Sequence, residues 1–140
     1  MQVLPPILIA EDEEADIFFL RRAARKAGVQ NPLIVVQDGQ QAIDYLKDTD
    51  QQPGLVMLDL KMPRLSGFDV LEWLGTQPRF KQTPIVVLSS SADPGDMARA
   101  LELGARDFIT KPPNALDLER IVTGVHRRWC GSPADKASEA

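Results

Sequence analysis

Side chains that can react or bind a metal follow four short apolar runs of the sequence. The run LVML leads directly into the carboxylate of Asp59, and the run ILIA leads into Glu11 and Asp12. The run IVVL leads into Ser89, and the run DFIT leads into Lys111. A buried charge costs several kcal/mol unless it is paired. These residues are therefore either ordinary strand ends in water or parts of one site that is built to hold them.

The apolar runs are predicted to be the strands of a parallel sheet. Five such runs occur, at 7–10, 33–36, 55–58, 85–88 and 107–110. They are short, mostly β-branched and too apolar for strands with one face in water, which is typical of strands covered on both faces. Segments with helical periodicity alternate with them, at 14–27, 40–47, 66–76, 93–103 and 115–129. This alternation predicts an α/β fold, a doubly wound five-stranded parallel sheet with helices on both faces.

The predicted topology places the polar residues on one edge of the sheet. Ligands of such folds bind beyond the carboxyl ends of the strands, which is where Glu11, Asp12, Asp59, Ser89 and Lys111 fall. Acids crowded together need a cation between them. A set of oxygen ligands without histidine or cysteine favours Mg²⁺. The lysine and the hydroxyl can then hold an anion beside the metal, and a phosphoryl group on or near the third-strand acid is the natural candidate.

Composition and charge exclude several classes of function. The chain of 140 residues fits one domain, and its formal net charge of −4 argues against binding to the phosphates of nucleic acid. The one cysteine, Cys130, rules out an intramolecular disulfide. No apolar run approaches the ~18 residues that a membrane helix needs, and the N-terminus lacks the basic region of a signal peptide. We therefore expect a cytoplasmic protein that binds neither nucleic acid nor membrane.

Several motifs in order resemble the receiver domain of bacterial two-component response regulators. They are an acidic pair after the first strand, LDLKMPRLSG around the third-strand acid, a hydroxyl after the fourth strand, and KP after the fifth. The resemblance implies a flavodoxin-like fold with strand order 2-1-3-4-5. It implies a receiver domain over residues 1–130. The tail at 131–140 is small and polar and is expected to be disordered. The stretch LDLxMPxxxGxxVL and the C-terminal tryptophan resemble, more finely, stand-alone receivers that work with phytochrome-type histidine kinases.

The resemblance implies a role for each residue of the acidic edge. Asp59 is expected to be the phosphoacceptor. Asp12 and Asp59 are expected to bind Mg²⁺ directly, with Glu11 reaching the metal through water and the backbone carbonyl of Lys61 completing the set. Mn²⁺ can substitute for Mg²⁺. The protein would then support its own phosphorylation and autodephosphorylation without being a turnover enzyme.

The remaining residues carried over from the family concern the response to phosphorylation. Ser89 is expected to be the switch hydroxyl, Lys111 the phosphate-binding lysine and Phe108 the aromatic switch residue. The Lys111–Pro112 bond is expected to be cis, as in the family, and to direct the lysine into the site.

The resemblance also implies partners. A histidine kinase or phosphotransfer protein would donate the phosphoryl group. The run at 17–20 carries more apolar bulk than one buried stripe can hide, so Phe19 is expected to be exposed for that donor or to make a wider core contact. The surface formed by the fourth helix, the fifth strand and the fifth helix carries charges of both signs, which suit a homodimer contact or a partner site opened by phosphorylation: Arg99, Glu102, Arg106 and Asp107.

Two other functions fit part of the pattern. A pseudo-receiver, a binding module that is not phosphorylated, would share the fold, but the complete set of acids, hydroxyl and lysine argues against it. A Mg²⁺-dependent phosphatase with Asp59 as nucleophile, similar to haloacid-dehalogenase-like enzymes, needs a second acid two residues later. Lys61 stands at that position, which makes the phosphatase the weaker alternative.

Overall fold

The structure, a computed structural model, describes residues 4–130, in which strands and helices alternate. The strands are β1 (Ile7–Ala10), β2 (Leu33–Val36), β3 (Leu55–Leu58), β4 (Ile85–Ser89) and β5 (Asp107–Thr110). The helices are α1 (Glu14–Lys26), α2 (Gly39–Asp48), α3 (Gly67–Gly75), α4 (Pro94–Glu102) and α5 (Ala115–Cys130), and a short 3₁₀ helix, Pro78–Phe80, follows α3. The tail predicted at 131–140 lies outside the described residues.

The five strands form one parallel sheet in the order β2-β1-β3-β4-β5. The doubly wound α/β class and the strand order are therefore confirmed. Ala10, the last residue of β1, lies opposite Val36 of β2 and Leu58 of β3. Because these three strands end at the same level, the residues that follow β1 and β3 emerge side by side at the carboxyl edge.

Alternate residues of the central strands pack into two separate apolar layers. Leu8 and Ala10 face the layer covered by α2, α3 and α4, whereas Ile7 and Ile9 face the layer covered by α1 and α5. Strands β1, β3 and β4 are buried throughout, as predicted for strands covered on both faces. The same expectation is wrong for β2 and β5, which are partly exposed because they are the edges of the sheet.

Local signals in the sequence explain where the helices begin and end. Asp93 caps α4 by accepting a hydrogen bond from the Gly95 N–H, and Pro94 occupies the first helical position. Gly28 and Gly104 follow α1 and α4 with φ of 77° and 111°, a backbone conformation that favours glycine. None of the helices between residues 4 and 130 is both long and apolar enough to span a bilayer.

Candidate functional site

Backbone hydrogen bonds fix the residues at the carboxyl edge of the sheet. The Asp59 N–H donates to the Ala10 carbonyl at 3.0 Å, and the Lys111 N–H donates to the Ser89 carbonyl at 2.7 Å. The Glu11 N–H likewise donates to the carbonyl that ends β2, at 2.9 Å. These bonds continue the ladders of the parallel sheet for one residue beyond the strands. The backbone of Glu11, Asp59 and Lys111 is therefore fixed, and their side chains project from the carboxyl edge of the sheet.

Glu11, Asp12 and Asp59 form an acidic cluster at this edge. Each offers a carboxylate oxygen, and the three oxygens lie within 4.8 Å of one another. Glu11 is 1% exposed and Asp59 is 6% exposed, so two of the three acids are largely removed from water. An all-oxygen set of this size fits Mg²⁺ or Mn²⁺. The Lys61 N–H lies 3.4 Å from Asp59 Oδ1, and a metal-binding role for the Lys61 carbonyl stays a prediction.

The Lys111 ammonium lies among three carboxylates. Its Nζ is 2.5 Å from Glu11 Oε1, 2.8 Å from Asp16 Oδ2 and 3.1 Å from Asp59 Oδ2. An ammonium has three N–H donors, so these partners account for all of them. Lys111 therefore joins the ends of β1 and β3 to the first turn of α1.

Asp16 is the residue of this group that the sequence reasoning missed. It precedes the buried Leu20 by four residues on α1, and residues four apart share a face of a helix. The Asp16 side chain is 38% exposed, and a carboxylate on this face can pair with a cation at the strand ends. That pattern was a signal for a lysine at the strand ends, although it does not name Lys111.

The carboxylates of the site outnumber its one ammonium group, that of Lys111. Burial raises the pKa of Glu11 to about 7. The hydrogen bond from Lys111 lowers this pKa, and the negative charge of Asp59 raises it. Burial also opposes the charged form of Lys111, but hydrogen bonds to Asp16 and Glu11 outweigh it and raise the lysine pKa above its ordinary value. More acids than bases thus share a partly dry site, which is the charge pattern that a divalent cation would relieve.

Ser89 ends β4 and is fully buried. Its Oγ accepts a hydrogen bond from the Ser91 N–H at 3.2 Å, and Ser91 Oγ donates to Asp96 Oδ2 at 2.7 Å. The loop between β4 and α4 is therefore attached both to the strand end and to the first turn of the helix. Phe108 of β5 is buried in the same apolar layer as Ala100 of α4.

The predicted cis bond between Lys111 and Pro112 is wrong, because residues 4–130 contain no cis peptide bond. The trans form of a bond before proline is favoured by about 0.5–1 kcal/mol in the absence of other constraints. The Lys111 side chain reaches Asp59 with the bond in the trans form, so the cis form is not needed to direct it into the site.

The segment after Asp59 returns closely to the sheet before α3 begins. The Gly67 N–H donates to the Leu60 carbonyl at 2.9 Å, which closes the loop between them. Within this loop Arg64 has a φ of 68°, uncommon for a residue with a side chain. Its guanidinium lies 3.5 Å from the carboxylate of Asp38, the cap of α2. These contacts hold the backbone on which Asp59 and Lys61 are carried.

An exposed aromatic pair lies on α1, the helix that carries Asp16. Phe18 is 59% exposed and Phe19 is 40% exposed, and their ring centroids are 5.3 Å apart in an edge-to-face arrangement. A cavity of about 230 Å³ runs from Phe19 to Lys111, with Pro113 and Leu118 on its other wall. Of the two alternatives for Phe19, exposure agrees with the structure, and Phe18 is more exposed still. A role in docking the donor stays a prediction.

A comparison with models of known protein families shows to which of them this chain is similar. The family model described as the response regulator receiver domain matches residues 7–123. The chain belongs to this family. It is a two-component receiver domain, and receiver domains are signalling proteins, not enzymes that turn over a substrate.

Solved and curated relatives of the receiver domain include proteins of phytochrome signalling. Response regulator Rcp1 of Synechocystis sp. is 31% identical over 132 residues, which are 89% of this chain and 90% of Rcp1. The phosphorylated cyanobacterial phytochrome response regulator RcpA is 32% identical with a TM-score of 0.85, over 91% of this chain and 94% of RcpA. The Mn²⁺-bound form of Rcp1 is 30% identical with a TM-score of 0.81, over 89% of this chain and 94% of that one.

Proposed function

We propose that this receiver domain is a phosphorylatable switch and that Asp59 accepts the phosphoryl group. The observation that carries the proposal is the position of Asp59, which is nearly buried at the end of a central strand, within 4.8 Å of two acids and 3.1 Å from the Lys111 ammonium. A carboxylate is a weak nucleophile, and positive charge on both sides of a phosphoryl group compensates for that weakness. The cytoplasm is the compartment in which we expect the switch to work.

The transfer itself needs little covalent help from the protein. A carboxylate oxygen of Asp59 forms a bond to phosphorus while the bond from phosphorus to the donor breaks, and the donor group leaves with that electron pair. The product is an acyl phosphate on Asp59, and attack of water on its phosphorus restores the carboxylate and releases phosphate. Lys111 stands where its ammonium can bind a phosphoryl oxygen and hold the acceptor in place.

Asp12, Asp59 and the Lys61 carbonyl are proposed to bind the cation directly, and Glu11 is proposed to reach it through water. Bound Mg²⁺, or Mn²⁺ in its place, would neutralise the oxygens of the transferred group. The acidic cluster supports this assignment, as does the existence of a Mn²⁺-bound form of the relative Rcp1.

Ser89 and Phe108 are proposed to carry the response. Phosphorylation places a charge of roughly −1.5 to −2 at the site. Between residues 4 and 130, Ser89 Oγ accepts from the Ser91 N–H and donates to no group, so its hydroxyl hydrogen can turn toward a phosphoryl oxygen. A movement of Ser89 leaves space toward which Phe108 can turn, by a shift between existing conformations. A homodimer or partner contact on the surface formed by α4, β5 and α5, which carries Arg99, Glu102, Arg106 and Asp107, stays a prediction.

Phosphorylation by a small donor tests the proposal. Acetyl phosphate with Mg²⁺ should add one phosphoryl group, measured by intact mass, and borohydride reduction followed by peptide mapping should place it on Asp59. Asp12→Ala should lose most of the labelling and most of the Mg²⁺ affinity. Equal labelling in the presence of EDTA, or labelling of another residue, would contradict the proposal. No added mass in the presence of Mg²⁺ is the result that a pseudo-receiver would give.

The donor protein is proposed to be a histidine kinase or phosphotransfer protein, and the relatives named above favour a kinase of the phytochrome type. Phe19 of the exposed pair lines the same cavity as Lys111. A donor that covers the pair would therefore lie over the cavity that contains the proposed phosphate-binding lysine.

Phe18→Ser should lower phosphotransfer from a phytochrome-type kinase that phosphorylates the wild type. We expect a loss of roughly tenfold at limiting receiver concentration, since an exposed aromatic anchor contributes about 1–2 kcal/mol to an interface. Labelling by acetyl phosphate measures the chemistry without docking and should not change. Leu101→Ser is the matched control, because Leu101 is 48% exposed on α4. Equal losses in both variants would contradict docking at the aromatic pair.

A further inference from the structure

Binding of a cation would involve only two of the three carboxylates that surround Lys111. Glu11 and Asp59 belong to the acidic cluster proposed to hold the metal, whereas Asp16 does not. Asp16 approaches Lys111 from α1, at 2.8 Å. It is thus the one carboxylate partner of Lys111 that has no second role at the site.

Binding of a divalent cation changes the balance of forces on the lysine. Glu11 and Asp59, which Lys111 contacts at 2.5 and 3.1 Å, would then also interact with an ion of greater charge. That ion also repels the ammonium, and at a distance of a few ångströms in a partly dry site the repulsion is strong. Without another acceptor, the lysine either leaves the site or competes with the cation for the same two acids.

Asp16 supplies that other acceptor from a rigid support. Its backbone belongs to the first turn of α1, whose Ile17 and Leu20 are buried against the sheet. The carboxylate of Asp16 lies 2.8 Å from the Lys111 ammonium, a distance typical of a charge-assisted hydrogen bond. With one N–H on Asp16, the ammonium keeps two N–H groups for Asp59 and a phosphoryl oxygen.

We infer that Asp16 is a positioning residue, which holds Lys111 beside Asp59 while a divalent cation is bound by the acidic cluster. The inference rests on the proposed function in one respect, that Glu11, Asp12 and Asp59 hold the metal. It assigns to α1 a part in the phosphoryl site in addition to carrying the exposed aromatic pair.

The test is a double-mutant cycle read out as Mg²⁺ affinity. Calorimetric titration with Mg²⁺ is carried out on the wild type, Asp16→Asn, Lys111→Met and the double variant. Asp16→Asn should weaken Mg²⁺ binding by roughly five- to tenfold, because Lys111 is then held only by metal ligands and competes for them. In the Lys111→Met background the same change should alter the affinity by less than about twofold. Lys111→Gln replaces Lys111→Met if the latter does not fold.

Glu14→Gln is the matched control. Glu14 is an exposed acid of the same first turn of α1, and it is not among the carboxylates that contact Lys111. Its loss removes the same charge from the same end of the helix, so its affinity should stay within about twofold of the wild type.

The outcomes separate the inference from the proposed function. A loss of affinity that is equal with and without Lys111 would show that Asp16 acts as a remote negative charge, and would overturn the inference. An unchanged affinity in Asp16→Asn would overturn it as well, while leaving the proposed function intact. Wild-type protein that binds no Mg²⁺ would overturn both.

Discussion

Asp59→Asn is expected to abolish phosphorylation by acetyl phosphate and, in metal-free buffer, to make the fold more stable. The neutral amide removes one of three crowded acids, and Asp59 is among the groups that raise the pKa of the buried Glu11. Lys111 keeps Glu11 and Asp16 as partners. Relief of this repulsion should increase the free energy of unfolding by about 1 kcal/mol, the equivalent of somewhat less than one pKa unit.

Added Mg²⁺ should reverse the order of stability. A ligand at ten times its dissociation constant stabilises the native state by about 1.4 kcal/mol, and Asp59→Asn should lose most of this gain because it lacks one metal ligand. Urea denaturation with and without Mg²⁺ measures both effects, and intact mass measures the labelling. Asp50→Asn, in the exposed segment between α2 and β3, is a control that should change neither. A variant that is labelled like the wild type would contradict the assignment of Asp59.

Gly67→Ala is expected to cost about 2–3 kcal/mol of folding free energy, as overpacking against a backbone does. A Cβ at position 67 would lie 2.3 Å from the carbonyl oxygen of Asp59 and 2.8 Å from the Cα of Leu60. Both are backbone atoms that cannot rotate away, so either α3 or the end of β3 must move. The displacement falls on the residue proposed to be phosphorylated, and labelling by acetyl phosphate should therefore slow down as well.

Gly75→Ala in the same helix separates this contact from a general effect of removing glycine. A Cβ at position 75 meets nothing within 4 Å, and alanine is favoured over glycine in a helix by up to about 1 kcal/mol. The control should thus be neutral or more stable, with unchanged labelling. Urea denaturation of the two variants side by side measures the difference. Similar stabilities for Gly67→Ala and Gly75→Ala would show that α3 does not press on Asp59.

The sequence was sufficient for the sheet and for most of the acidic edge. The runs before Glu11 and Asp59 are continuous apolar segments of four residues, a pattern typical of strands buried on both faces. Once these strands are parallel and adjacent, the residues that follow them must meet at one edge. Lys111 was found in the same way, since its backbone directly follows the last strand.

The sequence did not predict the contacts that depend on how side chains point or the backbone conformations of the loops. Asp16 lies five residues after Glu11, and only the packing of α1 on the sheet brings its carboxylate to Lys111. The positive φ of Arg64 occurs in the loop between Leu60 and Gly67, and no pattern of residues in the sequence predicts it. The trans bond before Pro112 contradicts the cis bond that the resemblance implied. The resemblance predicted the position of the lysine ammonium but not the backbone conformation that places it there.

The triple contact of Lys111 also limits which residue can replace it. Its three acceptors come from β1, β3 and α1 and converge on a single nitrogen. The three N–H groups of an ammonium point in directions that do not share a plane. The N–H groups of the arginine guanidinium all lie in one plane and suit one or two carboxylates in that plane. Arginine would preserve the charge but leave one of the acids without a donor. The shape of the cation, as much as its charge, is therefore specified at this position.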